Sequence, residues 1–206
     1  MEFVFDREGL EVGIDEAGRG CLSGRVYVGA VILPYDFGDD DTYLQIKDSK
    51  KISRKKRKVL REWIEKNAIA YNVAWSDEKE IDNINILQAT MVAMHRALDG
   101  ITVDFNRVLV DGDKFKLYER NGEPVEAICI KGGDNKYYSI AAASILAKVY
   151  HDEYVEGLCN ENEDYDKKYG WLSNMCYGTK RHMDGIKEYG LTKYHRRSFG
   201  LCKNIN

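Results

Sequence analysis

Four carboxylates in this chain stand where carboxylates can do metal chemistry: Asp15, Glu16, Asp111 and Asp152. Asp15 and Glu16 belong to Gly13-Ile14-Asp15-Glu16-Ala17-Gly18-Arg19-Gly20, a stretch lying between two apolar runs. Asp111 closes another apolar run, Val108-Leu109-Val110, and is followed by Gly112. Acids at strand ends beside flexible loops are a common way to hold a hard cation against an incoming ligand. Gathered without a cation, four carboxylates repel one another, so the group makes sense only around divalent metal. Two such ions about 3.5–4 Å apart can activate a water and stabilise the leaving 3′-oxygen of a phosphodiester. The alternative is that the acids are solvated turn residues, as most acids are. Asp15 and Glu16 add a geometric condition, because neighbours on a strand point to opposite faces. They converge if Glu16 already lies in the turn.

The elements that must position these acids follow from periodicity. Glu11 to Asp15 and Val26 to Leu33 read as two strands joined through the acidic, glycine-bearing turn. A polar loop at Asp36 to Thr42 is expected to be a solvated connection. Ser53 then caps a helix from about Arg54 to Asn67, with Val59, Leu60, Trp63 and Ile64 on one face. Ala68 to Ala74 alternates as a third strand. Ser76 caps a short acidic helix, and Asn83 or Asn85 opens a longer one through Leu98. Asn106 to Asp111 is a buried-type strand, and Val125 to Ile130 is another, closed by the turn Gly132-Gly133-Asp134. A long helix from about Tyr137 to Cys159 begins with small residues that permit close packing. Gly170 to Tyr177 reads as irregular, and Thr179 caps a last helix to about Tyr189. About five strands interleaved with helices predict an α/β fold with a mixed sheet and a helical C-terminal extension. A catalytic core over residues 1–160 and an extension over 161–206 are expected. If the strands ending in Asp15 and Asp111 are central, their carboxyl ends lie side by side at the usual ligand edge of such a sheet. Asp152, on the long helix, could project over that edge.

At 206 residues, with 44% hydrophobic and 32% charged residues, the composition is that of a soluble globular domain. The apolar run Val26 to Leu33 is far too short to span a membrane, and the start of the chain shows no secretory pattern. Five cysteines without C-x-x-C spacing argue against a zinc site and a disulfide framework, and fit a reducing, cytoplasmic setting. The net charge of −3 conceals an uneven distribution. Lys50 to Arg61 is basic without one acid, and Lys180 to Arg197 holds a second basic group. Acids concentrate at Asp77 to Asp82 and Asp152 to Asp166. That pattern suits a protein holding a polyanion, although Arg54 to Lys58 would look the same as a solvated helix face. A nucleotide-binding reading of Gly18-Arg19-Gly20 fails, since Ser23 occupies the third glycine slot and a strand follows where a helix must start.

Seven motifs, in order and spanning residues 13–199, resemble ribonuclease HII, the type 2 ribonuclease H family. They are Gly13 to Gly20, Asp48-Ser49-Lys50-Lys51, Asn85 to Thr90, Val110-Asp111-Gly112, Ser139 to Val149, Tyr177-Gly178-Thr179 and His195 to Phe199. The resemblance implies a ribonuclease-H-like fold and endonucleolytic cleavage of RNA in RNA–DNA hybrids, including nicking 5′ of single ribonucleotides in duplex DNA. It implies Mg²⁺ or Mn²⁺ held by Asp15, Glu16, Asp111 and Asp152, and products ending in 5′-phosphate and 3′-hydroxyl. It also implies that Gly18, Arg19 and Gly20 read the 2′-hydroxyl through their backbone, that Tyr177 packs on the adjoining deoxyribose, and that Lys50 holds a phosphate. The 2′-hydroxyl is the group that separates RNA from DNA, and glycines permit close approach to it. A monomer without a sliding-clamp peptide is expected, because no such motif follows Phe199.

The family often has proline where Cys21 and Arg25 stand, and glycine where Cys176 stands. Cys176 immediately precedes Tyr177, so backbone freedom beside that tyrosine is at issue. Four residues carry a structural alternative. Lys148 could be a solvated helix residue, His182 is expected to be structural, and Arg196 and Arg197 could bind phosphate or pair with acids. The type 3 enzymes share the acids but lack the glycine-arginine-glycine loop and the tyrosine. A nuclease acting on DNA alone and a catalytically silent binding domain are the competing functions, and the intact acids argue against the second.

Overall fold

The computed structural model describes residues 1–6 and 9–205. Strands β1 (Glu11–Ala17), β2 (Val26–Ile32), β3 (Ala70–Ser76), β4 (Arg107–Asp111) and β7 (Glu126–Ile130) form one sheet in the order β3-β2-β1-β4-β7. The first three are antiparallel neighbours, whereas β1, β4 and β7 run parallel. A two-stranded ribbon, β5 (Glu119–Arg120) with β6 (Glu123–Pro124), interrupts the connection between β4 and β7 and was not anticipated. The sheet is mixed, as expected, and β1 and β4 are adjacent. The carboxyl ends of β1, β4 and β7 therefore share one edge.

Helix α2 (Glu78–Asp99) covers one face, and α1 (Arg54–Asn67) and α3 (Tyr138–Glu161) cover the other. Alternation along β1 decides what each face receives. Val12 and Ile14 are fully buried with Met91, Met94 and Leu98 of α2. Gly13 and Asp15 consequently face α3. A methyl group at Gly13 would lie 2.2 Å from the Ser139 carbonyl carbon, and one at Gly29 would lie 2.4 Å from the Ala143 oxygen. Two glycines on adjacent strands thus let the backbone of α3 rest directly on the sheet.

Several boundaries differ from expectation for local reasons. Within α1, Leu60 and Ile64 are buried but Val59 is 58% exposed, so the apolar face is narrower than its sequence suggests. The two helices expected after β3 form one element. Asp77, not Ser76, caps it by accepting from the Glu80 amide, while the Ser76 hydroxyl is buried against the Ala89 carbonyl. Asn85 breaks the helix at φ 68° and recaps it by accepting from the Gln88 amide. The segment 170–177 contains a short helix, α5 (Trp171–Asn174), between α4 (Asp164–Tyr169) and α6 (Lys180–Tyr189). These last helices share a core with the loop after β1: Trp171, Cys176 and Ile186 pack with Cys21, Val155 and Leu158. His182 is structural, as expected, with its Nε2 accepting from Trp171 Nε1 at 3.0 Å. Among the described residues, no helix is long and apolar enough to cross a membrane.

If the glycine contacts set the depth of α3, Gly29→Ala should destabilise the protein by about 1–3 kcal/mol, the usual cost of overpacking. Gly157→Ala, on the same helix with nothing within 4 Å of the added methyl, should instead be neutral or stabilising. Urea midpoints of the two variants check this, and equal destabilisation would reject the packing account.

Candidate active site

Among the described residues, Asp15, Asp111 and Asp134 offer carboxylate oxygens that all lie within 4.8 Å of one another. Asp15 comes from β1 and Asp111 from the end of β4, as expected. Asp134 comes from the turn after β7, where Gly132 adopts φ 64° and a 3₁₀ turn follows. That turn is tied to its neighbour, because the Gly133 amide donates to Asp111 Oδ1 at 2.7 Å. From the sequence Asp134 is only part of a closing turn, and Asp152 is expected in its place.

Asp152 lies outside this group. Ser144, whose hydroxyl bonds the Asp15 carboxyl, is eight residues earlier on α3, or about 12 Å along the helix axis. Asp152 is engaged instead by Lys148 Nζ at 2.8 Å, His151 Nδ1 at 3.1 Å and Arg57 Nη2 at 3.4 Å. The condition placed on Glu16 is also not met. Strand β1 continues through Glu16 to Ala17, with Glu16 opposite Val28 in the ladder, so its Cβ leaves the strand on the other side from Asp15. Its carboxylate nonetheless borders the same cavity, where it pairs with Arg19 Nη1 at 3.2 Å.

The electrostatics separate the acids. Burial, then the nearby Glu16 and Asp111 carboxylates, push the Asp15 carboxyl well above the ordinary range. Asp134 is raised by burial and by Asp111 and Asp48. Glu16 is raised by burial against the opposing pull of Arg19. Asp152 goes the other way: burial would raise it, but the His151 hydrogen bond and Lys148 together hold it below the ordinary range. An oxygen-only cluster of mutually repelling carboxylates fits a hard divalent cation, whereas a carboxylate already paired with cations does not call for one.

Beside the cluster lies a cavity of about 470 Å³, bordered by Glu16, Gly18, Arg19, Lys50, Lys148 and Tyr177. Gly18 must be glycine, since its φ is 83° and a methyl there would lie 2.5 Å from His151 Cδ2. Arg196, which is fully buried, donates from Nη2 to the Gly18 carbonyl at 2.7 Å, from Nη1 to Arg19 at 2.9 Å and from Nε to Gly24 at 2.9 Å. It therefore binds neither phosphate nor acid. Arg197 offers its backbone amide to Asp82. Tyr177 pairs with Cys21 across an isolated bridge, and its hydroxyl lies beside the Gly18 amide. Lys148 is no solvated bystander, standing 5.3 Å above the Tyr177 ring. Cys176, in the glycine position, keeps a left-handed backbone at φ 65° and follows Met175 at φ 47°. The conformation that glycine would provide is retained there by the Asn174 side chain, which accepts from the Cys176 amide.

Lys50 is carried by a 3₁₀ turn, Ser49–Lys51, capped by Asp48. The basic helix α1 meets the acidic stretch of α3: Arg61 pairs with Glu153, and both Arg54 and Lys58 pair with Glu156. Much of the basic run is thus neutralised by acids of the same fold, leaving Lys50, Lys55 and Lys56 exposed. All five cysteines are free, and Cys129 is exposed.

The family model described as Ribonuclease HII matches residues 12–202. The curated Ribonuclease HII of Christiangramia forsetii is 49% identical over 189 residues, covering 92% of this chain and 89% of that protein. That of Bacteroides thetaiotaomicron is 47% identical over 192 residues, covering 93% and 90%. The crystal structure of ribonuclease H2 from Pyrococcus horikoshii superposes with a TM-score of 0.73 at 24% identity, covering 95% of this chain and 96% of that one, and shows the shared fold.

The raised Asp15 carboxyl has a consequence for stability. A group whose folded value is raised stabilises the fold fully below its unfolded value, near 3.9 for Asp, and that contribution is lost as pH rises through the folded value. The metal-free protein should therefore lose that contribution as pH rises, and bear the cost of a buried carboxyl set among like charges. Asp15→Asn should raise its melting temperature at pH 7.5, at roughly 2–4 °C per kcal/mol of repulsion relieved, and the gain should shrink toward pH 4. Added Mn²⁺ should stabilise the parent and not the variant. A variant no more stable than the parent at neutral pH would remove Asp15 from a repelling cluster.

Proposed function

The chain belongs to the ribonuclease HII family and is a metal-dependent endoribonuclease acting on RNA–DNA hybrids, and on that premise we propose that it also nicks duplex DNA 5′ of single embedded ribonucleotides. The observation that carries this reading is the position of the Gly18–Gly20 loop and Tyr177 on one cavity beside the cluster of Asp15, Asp111 and Asp134. A site for long hybrids needs only phosphate contacts and a cleavage centre. A site for one ribonucleotide must also recognise a single 2′-hydroxyl and the deoxyribose after it.

We assign Asp15, Asp111 and Asp134 as the residues that hold the metal ions, with Glu16 supplying a fourth carboxylate from the cavity rim. This replaces Asp152 in the expected quartet. Mg²⁺ or Mn²⁺, when bound, supplies Lewis-acid activation of a water and charge stabilisation at the leaving 3′-oxygen, the two-metal pattern. The chain's own residues do the rest. Lys50 holds the backbone phosphate on the side of Asp48. Arg196 takes the Gly18 and Arg19 carbonyls, which turns the following amides of Arg19 and Gly20 away from the buried side. Those amides are the donors offered to a 2′-oxygen. Tyr177, set beside the Gly18 amide and Lys148, presents its ring to the next sugar. The ends produced are 5′-phosphate and 3′-hydroxyl. A monomer suffices for this reading, because every group named belongs to one chain.

A duplex with one ribonucleotide should be cut on its 5′ side in Mg²⁺ or Mn²⁺ and left intact in EDTA. Equal cutting of the all-DNA duplex would sink the proposal. Asp134→Asn should abolish turnover while duplex binding persists; an active variant would remove it from the metal-holding group. Tyr177→Ala should lower cleavage of the single-ribonucleotide duplex about tenfold, the scale of a lost nucleotide-stacking contact, with the long hybrid less affected. Equal losses on both substrates, with a lower melting temperature, would instead mark Tyr177 as a packing residue.

A further inference from the structure

We propose that Asp152 is a positioning residue, whose buried carboxylate holds the Gly18–Gly20 loop, Tyr177 and the turn carrying Lys50 in a fixed mutual arrangement. The inference rests on the site reading given above. Asp152 is only 3% exposed, and both its oxygens are taken. Oδ1 accepts from Lys148 Nζ and from His151 Nδ1, and Oδ2 accepts from Arg57 Nη2. Each of these donors leads to a different part of the cavity.

Lys148 stands over the Tyr177 ring. His151, with Nδ1 committed to Asp152, turns Nε2 to Cys21 Sγ at 3.5 Å and packs its ring edge against Gly18. Arg57 reaches past Asp152 to the backbone that brackets Lys50. Its Nη1 donates to the Ser49 carbonyl at 2.9 Å and to the Ile52 carbonyl at 2.6 Å. The Ser49 hydroxyl then meets that of Ser144 at 2.9 Å, and Ser144 bonds Asp15. One carboxylate therefore stands between the three parts assigned to substrate contact, and one further step from the metal cluster. Without its charge, Lys148 and Arg57 would be two half-buried cations sharing a site, and the cheapest relief is for each to move away with what it holds. Tyr177 and Lys50 would then lose their spacing, although neither would be touched directly.

The test uses the full chain carrying Asp152→Asn or Arg57→Gln, each alone and combined with Lys50→Ala and with Tyr177→Ala. Mn²⁺ binding without nucleic acid is measured by calorimetry, and kcat and KM are measured on the single-ribonucleotide duplex and on the long hybrid. Asp152→Asn should bind Mn²⁺ as the parent does and lose about 10–100-fold in kcat/KM on the single-ribonucleotide duplex, the scale for residues acting through another group. In its background the Lys50→Ala and Tyr177→Ala effects should both shrink. In the Arg57→Gln background only the Lys50→Ala effect should shrink. A fall in Mn²⁺ affinity matching that of Asp134→Asn would overturn the proposal in favour of metal binding. So would effects that add within about twofold in both backgrounds, which is the behaviour of independent sites. Should Asp152→Asn fail to fold, Arg57→Gln alone decides: selective coupling to Lys50 supports the arrangement and additivity overturns it. If the parent does not cut the single-ribonucleotide duplex, the functional proposal fails, while the same couplings measured on the long hybrid still judge Asp152.

Discussion

The closeness of α3 to the sheet is the constraint from which the site follows. Side chains at Gly13 and Gly29 would push the helix outward, because their methyl groups would collide with backbone atoms rather than with movable side chains. With the helix seated, Ser144 reaches Asp15, Lys148 follows one turn later, and His151 with Asp152 one turn after that, toward the Gly18–Gly20 loop. A helix displaced by the width of a methyl group would separate the cluster of Asp15, Asp111 and Asp134 from the Gly18–Gly20 loop and Tyr177. Catalytic geometry here is a packing property before it is an electrostatic one.

Two buried aspartates on this framework are treated in opposite ways. Asp15 is left among acids, and its carboxyl is driven up by burial and like charge. Asp152 is equally buried, yet His151 and Lys148 outweigh that burial and hold it down. An acid left without a counter-charge is poised to take a cation, and the fold bears the repulsion until it does. An acid supplied with donors on both oxygens is a strut. The distinction lies in the partners, and the partners come from α1 and from the preceding turn of α3.

Those partners also explain what could be read in the chain and what could not. The strands carrying Asp15 and Asp111 are legible from their apolar runs, although β1 runs two residues past Asp15, and their adjacency is the case the α/β pattern allows if both are central. Asp134 obeys the same rule, since β7 is the third parallel strand and an aspartate follows its carboxyl end. Its signal is displaced by four residues from Ile130, the ladder partner of Asp111, because the left-handed Gly132 carries the chain round before Asp134 comes back beside Asp111. Asp152 was attractive because a long helix crossing a sheet edge could place it anywhere along that edge. Only the register of α3, set by Ser139 over Gly13 and Ala143 over Gly29, shows that it lies two turns past the cluster of Asp15, Asp111 and Asp134. Glu16 illustrates the remaining limit: whether a strand ends one residue earlier or later decides which face an acid leaves from, and nothing local in Glu16-Ala17 sets that boundary.

Two basic residues near the end of the chain suggested phosphate binding, and a guanidinium is well suited to it. Buried completely and facing three carbonyls, Arg196 does something a phosphate-binding arginine cannot. A trans peptide points its carbonyl and its amide in opposite directions. Fixing the carbonyls of Gly18 and Arg19 therefore fixes the directions of the Arg19 and Gly20 amides. A glycine-bearing loop is free to turn its amides either way, and that freedom is a cost when a single hydroxyl must be recognised. The buried guanidinium removes the freedom before substrate arrives, so the glycines supply close approach and Arg196 supplies direction. The glycines leave the loop open to close approach, but an arginine some 180 positions later in the chain fixes the direction of its amides.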